Sequence, residues 1–212
     1  MKNEKLEWVI FDAWGVIYTK RNFIHSILYP FLKKLNSEIQ EEVLYKEYFK
    51  ASRGELTSRN FWKNIGYGEQ YPEIEQEYLK SISCLDKDFI KYIPKIKKEF
   101  RVALLTNDVK EWSRHLLHKF DIINYFEEII ISGEVGFRKP GTEIFEYFLE
   151  QTSIKPINSL FVDDRLTNLK AATEVGINVI RFIRKERKTP FCSEFEVGSF
   201  NEFWHTLNNF YR

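Results

Sequence analysis

The chain has 212 residues, of which 43% are hydrophobic, 17% aromatic and 30% charged. This composition excludes a disordered chain, and the 9 glycines and 6 prolines exclude collagen-like and low-complexity classes. The 32 basic residues nearly balance the 31 acidic ones, so the net charge of +1 gives no overall electrostatic attraction to nucleic acid or to an anionic membrane. We therefore expect a globular protein with neither of these partners.

Cysteine use and the N-terminal segment indicate a cytoplasmic protein. Cys84 and Cys192 are far apart in the sequence, which does not indicate a disulfide framework or a zinc site. The first apolar run is interrupted by Asp12 and resembles mature structure rather than a signal peptide. No apolar stretch is long enough to span a bilayer. The basic residues between Arg181 and Lys188 predict a solvated surface segment.

Short apolar runs in chain order predict the strands of a buried parallel sheet. These runs are residues 8–11, 102–105, 129–131, 160–162 and 179–182. Helical patterns follow the later runs over 109–119, 141–152 and 165–175, and a short final helix is expected over 199–211. The alternation of strand and helix predicts an α/β fold with a doubly wound parallel sheet.

The segment between the first and second strands breaks this alternation. From about residue 20 to residue 98 the apolar residues recur at helical spacing, which predicts a small helical bundle inserted after the first strand. Thr57 or Ser58 is expected to cap the third helix of the insert, and Pro72 to begin the fourth. We therefore divide the chain into a core, 1–19 and 90–212, and an insert, 20–89.

Polar residues stand where four of the predicted strands end. Asp12 ends the first strand, Thr106 the second and Asp163-Asp164 the fourth, while Lys139 follows the third. In open α/β sheets, ligands bind beyond the carboxyl ends of the strands, where these groups would meet. Asp12 would serve as a carboxylate nucleophile, and the three carboxylates would supply oxygen ligands for Mg²⁺. Lys139 and Thr106 would hold phosphoryl oxygens.

Four segments resemble, in order and spacing, the motifs of the haloacid dehalogenase superfamily of hydrolases. They are VIFDAWGVI at 9–17, VALLTN at 102–107, GFRKP at 136–140 and FVDDRLTNLKAA at 161–172. The resemblance implies a Rossmann-like fold, Mg²⁺ and an aspartyl-phosphate intermediate. The insert resembles the small α-helical cap of this family. The closest likeness is to the branch that contains sugar-phosphate phosphatases and the N-terminal domain of soluble epoxide hydrolases.

The resemblance also assigns roles to individual residues. Asp12 aligns with the nucleophile of the family, Thr106 and Asn107 with the phosphate-binding motif, and Lys139 with the lysine that neutralises the nucleophile and the phosphoryl oxygens. Arg53 lies in a segment similar to the cap turn that faces the substrate. For substrate, the family implies a small phosphorylated metabolite.

The same resemblance implies a metal site. Asp163 and Asp164 align with the metal-binding acidic pair, and Mg²⁺ would also take Asp12 and the main-chain carbonyl of Trp14 as ligands. Asn168 aligns with a polar residue that supports this loop. An oligomer is compatible with the sequence but is not predicted by it.

Trp14 departs from the family pattern. Most phosphatases of this family carry a second Asp there, which protonates the leaving group and then activates water. An indole does neither, and general acid–base help is worth about 10²–10⁴-fold. A phosphatase would therefore be slow, have a good leaving group or use a replacement acid, for which Asp108, Glu55, His25 and a group on the substrate are candidates.

Trp14 leaves two alternatives open beside the phosphatase. One is a metal-independent 2-haloacid dehalogenase, since those relatives often carry an aromatic residue at this position. They usually lack the acidic pair that this chain keeps as Asp163-Asp164, which favours phosphoryl chemistry. The other alternative is a catalytically impaired binding or regulatory protein on the same scaffold.

Overall fold

The computed structural model describes residues 5–184 and 196–210. Its sheet contains six parallel strands in the order β3-β2-β1-β4-β5-β6. The strands are β1 (Trp8–Phe11), β2 (Arg101–Thr106), β3 (Glu128–Ile131), β4 (Ser159–Asp163), β5 (Asn178–Phe182) and β6 (Glu196–Val197). The five predicted strands are present within one residue at each end, and the prediction of a doubly wound α/β fold is confirmed. The two-residue strand β6 was not predicted.

Ten α-helices lie in the described residues. They are α1 (Tyr29–Leu35), α2 (Glu41–Ala51), α3 (Ser58–Asn64), α4 (Glu73–Ser81), α5 (Lys87–Ile96), α6 (Lys110–Lys119), α7 (Ser132–Val135), α8 (Glu143–Thr152), α9 (Leu166–Glu174) and α10 (Phe200–Phe210). A π-helical turn, Ile24–Leu28, leads directly into α1, and two 3₁₀ turns occupy Ile123–Tyr125 and Pro156–Asn158. None of these helices is long and apolar enough to cross a membrane.

The alternation of side chains along β1 explains why helices cover both faces of the sheet. Val9 and Phe11 belong to a hydrophobic cluster with α5, α6 and α10, whereas Trp8 and Ile10 belong to a second cluster with α8 and α9. All four residues are at most 1% exposed. A strand buried on both faces needs an uninterrupted apolar run, which is what the sequence shows at this position.

The four helices of the insert join the cluster on the first of these faces. Thr57 caps α3 by accepting a hydrogen bond from the backbone N–H of Asn60 at 3.2 Å, as predicted, and Pro72 directly precedes α4. Glu75 accepts the indole N–H of Trp62 at 2.8 Å and that of Trp112 in α6 at 2.7 Å. This buried carboxylate ties the insert to the core, and the boundary of a cap at 20–89 stays a prediction.

The prediction of a solvated basic segment from Arg181 to Lys188 is wrong for Arg181. Arg181 lies in β5, is 6% exposed and pairs with Glu196 of β6 at 3.1 Å, because strand pairing covers its side chain. Arg184 pairs with Asp86 at 2.6 Å. Lys185, Arg187 and Lys188 lie outside the described residues, as does Cys192.

Strand register brings the predicted site residues to one edge of the sheet. Phe11, the last residue of β1, is level with Leu104 of β2 and with Val162 of β4. The backbone N–H of Asp12 extends this pairing by donating to the carbonyl of Val162 at 2.9 Å. The residues that follow the central strands therefore share one site at the carboxyl edge.

Candidate active site

Three carboxylates form the centre of this edge. Asp12 follows β1, Asp163 ends β4, and Asp164 comes next in the chain. One oxygen of each carboxylate lies within 4.8 Å of an oxygen of the other two, and all three residues are buried. Carboxylates this close repel one another unless positive charge or a proton compensates them.

Lys139 supplies part of that positive charge. Its ammonium group contacts Asp12 Oδ1 at 2.7 Å and Asp163 Oδ2 at 3.0 Å, and it donates to the carbonyl of Leu105 at 2.7 Å. The Lys139 residue is 2% exposed. A lysine from the loop before α8 thus lies against two of the three carboxylates and compensates part of their charge.

Asn107 holds the main chain that carries this lysine. Its Nδ2 donates to the carbonyl of Lys139 at 2.8 Å, and its Oδ1 accepts the N–H of Lys139 at 2.9 Å. Both polar atoms of the amide are therefore used to fix the loop. The predicted contact of Asn107 with phosphate stays a prediction.

The electrostatics of the cluster favour binding of a cation. The pKa of Asp12 is raised to about 7. Burial is the main cause, the positive charge of Lys139 opposes it, and the negative charges of Asp163 and Asp164 add to it. Burial and the neighbouring Asp163 also raise the pKa of Asp164, against a lowering effect of Arg21. A divalent cation would counter both effects by stabilising the ionised carboxylates.

The donor set fits Mg²⁺, which prefers carboxylate and carbonyl oxygens. Asp164 Oδ1 is buried and has no hydrogen-bond partner among the described residues, so this oxygen is available to a cation. Gly15 adopts a φ of +92°, and a Cβ there would lie 2.6 Å from Asp164 Oδ2. The turn after β1 can approach the acidic pair this closely only with a glycine.

Arg21 also contacts the acidic pair. Its Nε donates to Asp164 Oδ2, while its side chain remains 43% exposed. Arg21 lies beyond the motifs and carries no sequence signal that separates it from other surface arginines.

Thr106 and Asn168 complete the surroundings of the carboxylates. Thr106 is fully buried at the end of β2, and its Oγ1 has no hydrogen-bond partner in the described part of the chain. A buried hydroxyl without a partner is unfavourable and suits a ligand oxygen. Asn168 donates from Nδ2 to Asp163 Oδ2 at 2.9 Å and so supports the acidic loop, as the sequence predicted.

Trp14, two residues after Asp12, is packed in an aromatic cluster. Its indole stacks on Phe23 with 4.6 Å between ring centroids and lies 4.8 Å from the ring of Tyr18. Its Nε1 donates to Asp108 Oδ2 at 3.3 Å. Burial raises the pKa of Asp108 to about 7, although the hydrogen bonds from Val109 and Trp14 lower it.

A cavity of about 180 Å³ opens beside these groups. Its lining residues are Asp12, Trp14, Asn22, Phe23, Ile24, Tyr45, Tyr48, Phe49, Asn107, Arg138, Lys139, Arg165 and Asn168. The indole of Trp14 therefore forms part of the wall and leaves the space next to Asp12 open.

The candidate replacement acids do not line this cavity. Asp108 is 1% exposed behind the indole, His25 pairs with Glu41 at 2.8 Å, and Glu55 pairs with Arg53 at 3.0 Å. Arg53 lines an adjoining groove rather than the cavity. None of these side chains is placed for proton transfer to a group bound at Asp12.

Arg138 and Arg165 line both the cavity and the adjoining groove, and sequence reasoning missed them. A usable signal did exist, because each is adjacent to a motif residue: Arg138 precedes Lys139, and Arg165 follows Asp164. Together with Lys139 they add positive charge to the lining of the cavity.

Comparisons with known proteins agree with this geometry. A family model described as haloacid dehalogenase-like hydrolase matches residues 9–182. D-ribitol-5-phosphate phosphatase of Bacteroides thetaiotaomicron is 26% identical over 150 residues, which are 68% of this chain and 69% of that protein. Drimenol cyclase drtB of Aspergillus calidoustus is 27% identical over 165 residues. The match covers 74% of this chain, but the chain spans only 31% of the cyclase.

A solved structure shows the same fold. The wild-type HAD family enzyme of Bacteroides thetaiotaomicron, in complex with magnesium and inorganic phosphate, superposes with a TM-score of 0.67 at 19% identity. The superposition covers 87% of this chain and 98% of that one.

Proposed function

This chain belongs to the haloacid dehalogenase-like hydrolase family, and on that premise we propose that it is a Mg²⁺-dependent phosphatase acting on a small phosphorylated metabolite. The contact of Lys139 with both Asp12 and Asp163, at 2.7 and 3.0 Å, carries the proposal. This contact holds a buried carboxylate next to positive charge in the lining of the cavity. The phosphatase among the relatives supports the same reaction class.

Asp12 is the nucleophile in this proposal. One of its carboxylate oxygens attacks the phosphorus atom, the bond from phosphorus to the substrate oxygen breaks, and an aspartyl-phosphate forms. Water then attacks the same phosphorus, which releases inorganic phosphate and restores Asp12. Two small barriers replace one large barrier.

Lys139 and Thr106 stabilise the phosphoryl group during both steps. The ammonium group of Lys139 faces the oxygens that gain negative charge, and the Thr106 hydroxyl donates a hydrogen bond that it lacks in the free enzyme. Positioned charge of this kind is usually the largest single contribution to such catalysis. Asn107 positions Lys139 through its two hydrogen bonds to the Lys139 main chain. We also assign it to phosphate binding, as the sequence predicts.

Asp12, Asp163, Asp164 and the main-chain carbonyl of Trp14 would hold Mg²⁺. The ion would supply additional positive charge for the phosphoryl oxygens. The helical insert 20–89 would act as the cap, because its residues Phe23, Tyr48 and Phe49 line the cavity next to Asp12. Arg53 would contact the part of the substrate that extends into the adjoining groove.

Phosphate release tests the proposal directly. We expect the wild type to release phosphate from p-nitrophenyl phosphate with Mg²⁺ and to lose this activity in EDTA. Asp12→Asn keeps the shape of the side chain but removes the nucleophile, so turnover should fall to background. Asp88→Asn is the matched control at an exposed position in α5 and should retain full activity. Equal activity of wild type and Asp12→Asn would refute the proposal.

The two alternatives predict different outcomes in the same assay. A metal-independent dehalogenase would release halide from a 2-haloacid in EDTA, and Asp12→Asn would abolish that release. A binding protein would bind phosphate esters without turnover. The open space beside Asp12 and the retained pair Asp163-Asp164 favour the phosphatase over both.

A further inference from the structure

Among the described residues that line the cavity, Asp12 is the only carboxylic acid. In the proposed reaction Asp12 forms a bond to phosphorus and cannot also protonate the leaving oxygen. The remaining charged groups of the described lining are the cationic side chains of Arg138, Lys139 and Arg165. The substrate oxygen therefore departs without a carboxylic acid beside it.

The hydroxyl groups in the cavity wall are already engaged. Tyr45 donates to Asn22 Oδ1 at 2.7 Å, and Tyr48 donates to the carbonyl of Asn107 at 2.8 Å. Burial raises the pKa of Tyr48 well above its usual value, which weakens it further as an acid. The N–H of Trp14 donates to Asp108, on the side away from the cavity. In the described part of the wall, no carboxylic acid or tyrosine hydroxyl is therefore free to donate a proton to the substrate.

Aromatic rings make up much of the same wall. Trp14 and Phe23 form one stacked pair, while Phe49 is 48% exposed and lines both the cavity and the adjoining groove. Arg138 covers the ring of Phe49 at 5.1 Å and that of Tyr48 at 5.4 Å. An exposed ring beside a guanidinium group suits a flat, electron-rich partner.

We propose that the substrate is the phosphate monoester of an aromatic alcohol, a phenol or a hydroxylated heteroaromatic ring. This inference rests on the proposed phosphatase function and specifies the substrate class of that site. Asp12 attacks phosphorus, the bond from phosphorus to the aryl oxygen breaks, and the aryloxide takes the electron pair and later a proton from solvent. Arg138 and Arg165 line the cavity and supply positive charge for the departing oxygen.

The chemistry of the leaving group explains why this class fits the cavity. A phenol ionises near pH 10, as tyrosine does, whereas an alkyl alcohol resembles water with a pKa near 16. An aryloxide can leave unprotonated, but an alkoxide needs the acid that position 14 lacks. Since acid help is worth about 10²–10⁴-fold, its absence penalises alkyl esters much more than aryl esters.

Phenyl phosphate and benzyl phosphate form a matched test pair. Both esters carry the same ring, but the leaving group is an aryloxide in phenyl phosphate and an alkoxide in benzyl phosphate. With Mg²⁺, we expect kcat/KM for phenyl phosphate to exceed that for benzyl phosphate by at least about 10²-fold. Similar values for the two esters would overturn the aryl-ester inference and leave the phosphatase proposal standing. Absence of turnover with both esters and with p-nitrophenyl phosphate would overturn the phosphatase proposal itself.

Inhibition by phosphonates tests the aromatic wall separately, because phosphonates have no oxygen leaving group. We expect phenylphosphonate to inhibit at a concentration about two- to tenfold lower than methylphosphonate, since stacking on an aromatic side chain contributes about 0.5–1.5 kcal/mol and about 1.4 kcal/mol is tenfold. Phe49→Ala removes an exposed ring and should abolish this preference without unfolding the protein. Lys91→Ala, on the exposed side of α5, is the control. Equal inhibition by the two phosphonates in the wild type would refute recognition of an aromatic ring.

Discussion

Trp14 and Asp108 are joined by a hydrogen bond in which the indole N–H donates to a buried carboxylate at 3.3 Å. Asp108 also accepts the backbone N–H of Val109 at 2.8 Å and is 1% exposed. Position 14, which carries the acid–base Asp in most phosphatases that the sequence resembles, here holds an aromatic side chain. The acidic group next to it is turned away from the cavity and anchors the indole.

The raised pKa of Asp108 predicts a pH-dependent stability. The folded chain holds the Asp108 proton up to about pH 7, whereas the unfolded chain releases it near pH 3.8. Between these values the folded state binds more protons, so this contribution to the free energy of unfolding is lost as the pH rises. Asp108→Asn removes this dependence. Its free energy of unfolding, relative to that of the wild type, should therefore rise by about 1–3 kcal/mol from pH 5 to pH 8, because one pKa unit corresponds to about 1.4 kcal/mol.

Urea unfolding at the two pH values measures this difference. Asp88→Asn replaces an exposed aspartate and should follow the wild type at both pH values. If the Asp108→Asn and wild-type curves differ by the same amount at pH 5 and pH 8, Asp108 does not hold its proton in the folded state.

The sequence predicted the centre of the site because apolar runs and strand ends are local signals. Asp12, Thr106 and Asp163 each follow or end a short buried strand, and parallel pairing brings such residues together. The position of Lys139 also follows from its motif. These residues could be assigned to one edge before the structure was known.

Other features depend on long-range packing that the sequence pattern does not record. Arg21 reaches Asp164 from the turn after β1, and Asp108 is directed behind Trp14 by the aromatic cluster. Arg181 is buried because β6 pairs with β5, and a two-residue strand leaves no periodic signal. Charge counts alone therefore misplaced this arginine on the surface.

The contact between Arg21 and Asp164 predicts competition with Mg²⁺. The guanidinium group occupies one oxygen of a carboxylate that we assign to the metal, so Arg21→Ala should bind Mg²⁺ more tightly. We expect an increase in affinity of up to about fivefold, since an ion pair with an exposed partner is worth at most about 1 kcal/mol. Isothermal titration calorimetry with MgCl₂ measures the change.

Arg59→Ala is the matched control for this experiment, because Arg59 is exposed and lines a groove formed by other residues of the insert. It should bind Mg²⁺ like the wild type. Weaker binding by Arg21→Ala would mean that Arg21 supports the metal site rather than competing for it.

Lys139→Met should destabilise the fold as well as abolish activity. The substitution leaves the buried carboxylates of Asp12 and Asp163 without their shared cation. Loss of one partner from a buried ion pair costs about 3–5 kcal/mol. In urea unfolding without Mg²⁺, the double variant Lys139→Met with Asp12→Asn should recover part of this loss. A loss equal to the sum of the two single substitutions would show that Lys139 and Asp12 are not energetically coupled.

The wall around Asp12 also predicts which step of the proposed reaction is slow. The first step needs no acid when the leaving group is p-nitrophenolate, but the second step requires activation of water. The Trp14 indole has no acceptor for the proton of a water molecule, and Asp108 does not line the cavity. Without a general base, hydrolysis of the aspartyl-phosphate is expected to be slower by about 10²–10⁴-fold than in enzymes that have one.

Rapid mixing with p-nitrophenyl phosphate should therefore show a burst of p-nitrophenolate, about one equivalent per active site, followed by slow steady turnover. Mass spectrometry of the quenched enzyme should find the phosphoryl group on Asp12 during the slow phase. Trp14→Asp supplies a carboxylate at the position where most of these phosphatases carry one, so the burst should disappear as turnover rises, whereas Trp14→Phe should keep the burst. Linear release from the first turnover in the wild type, with unmodified Asp12, would mean that a group other than residue 14 activates the water.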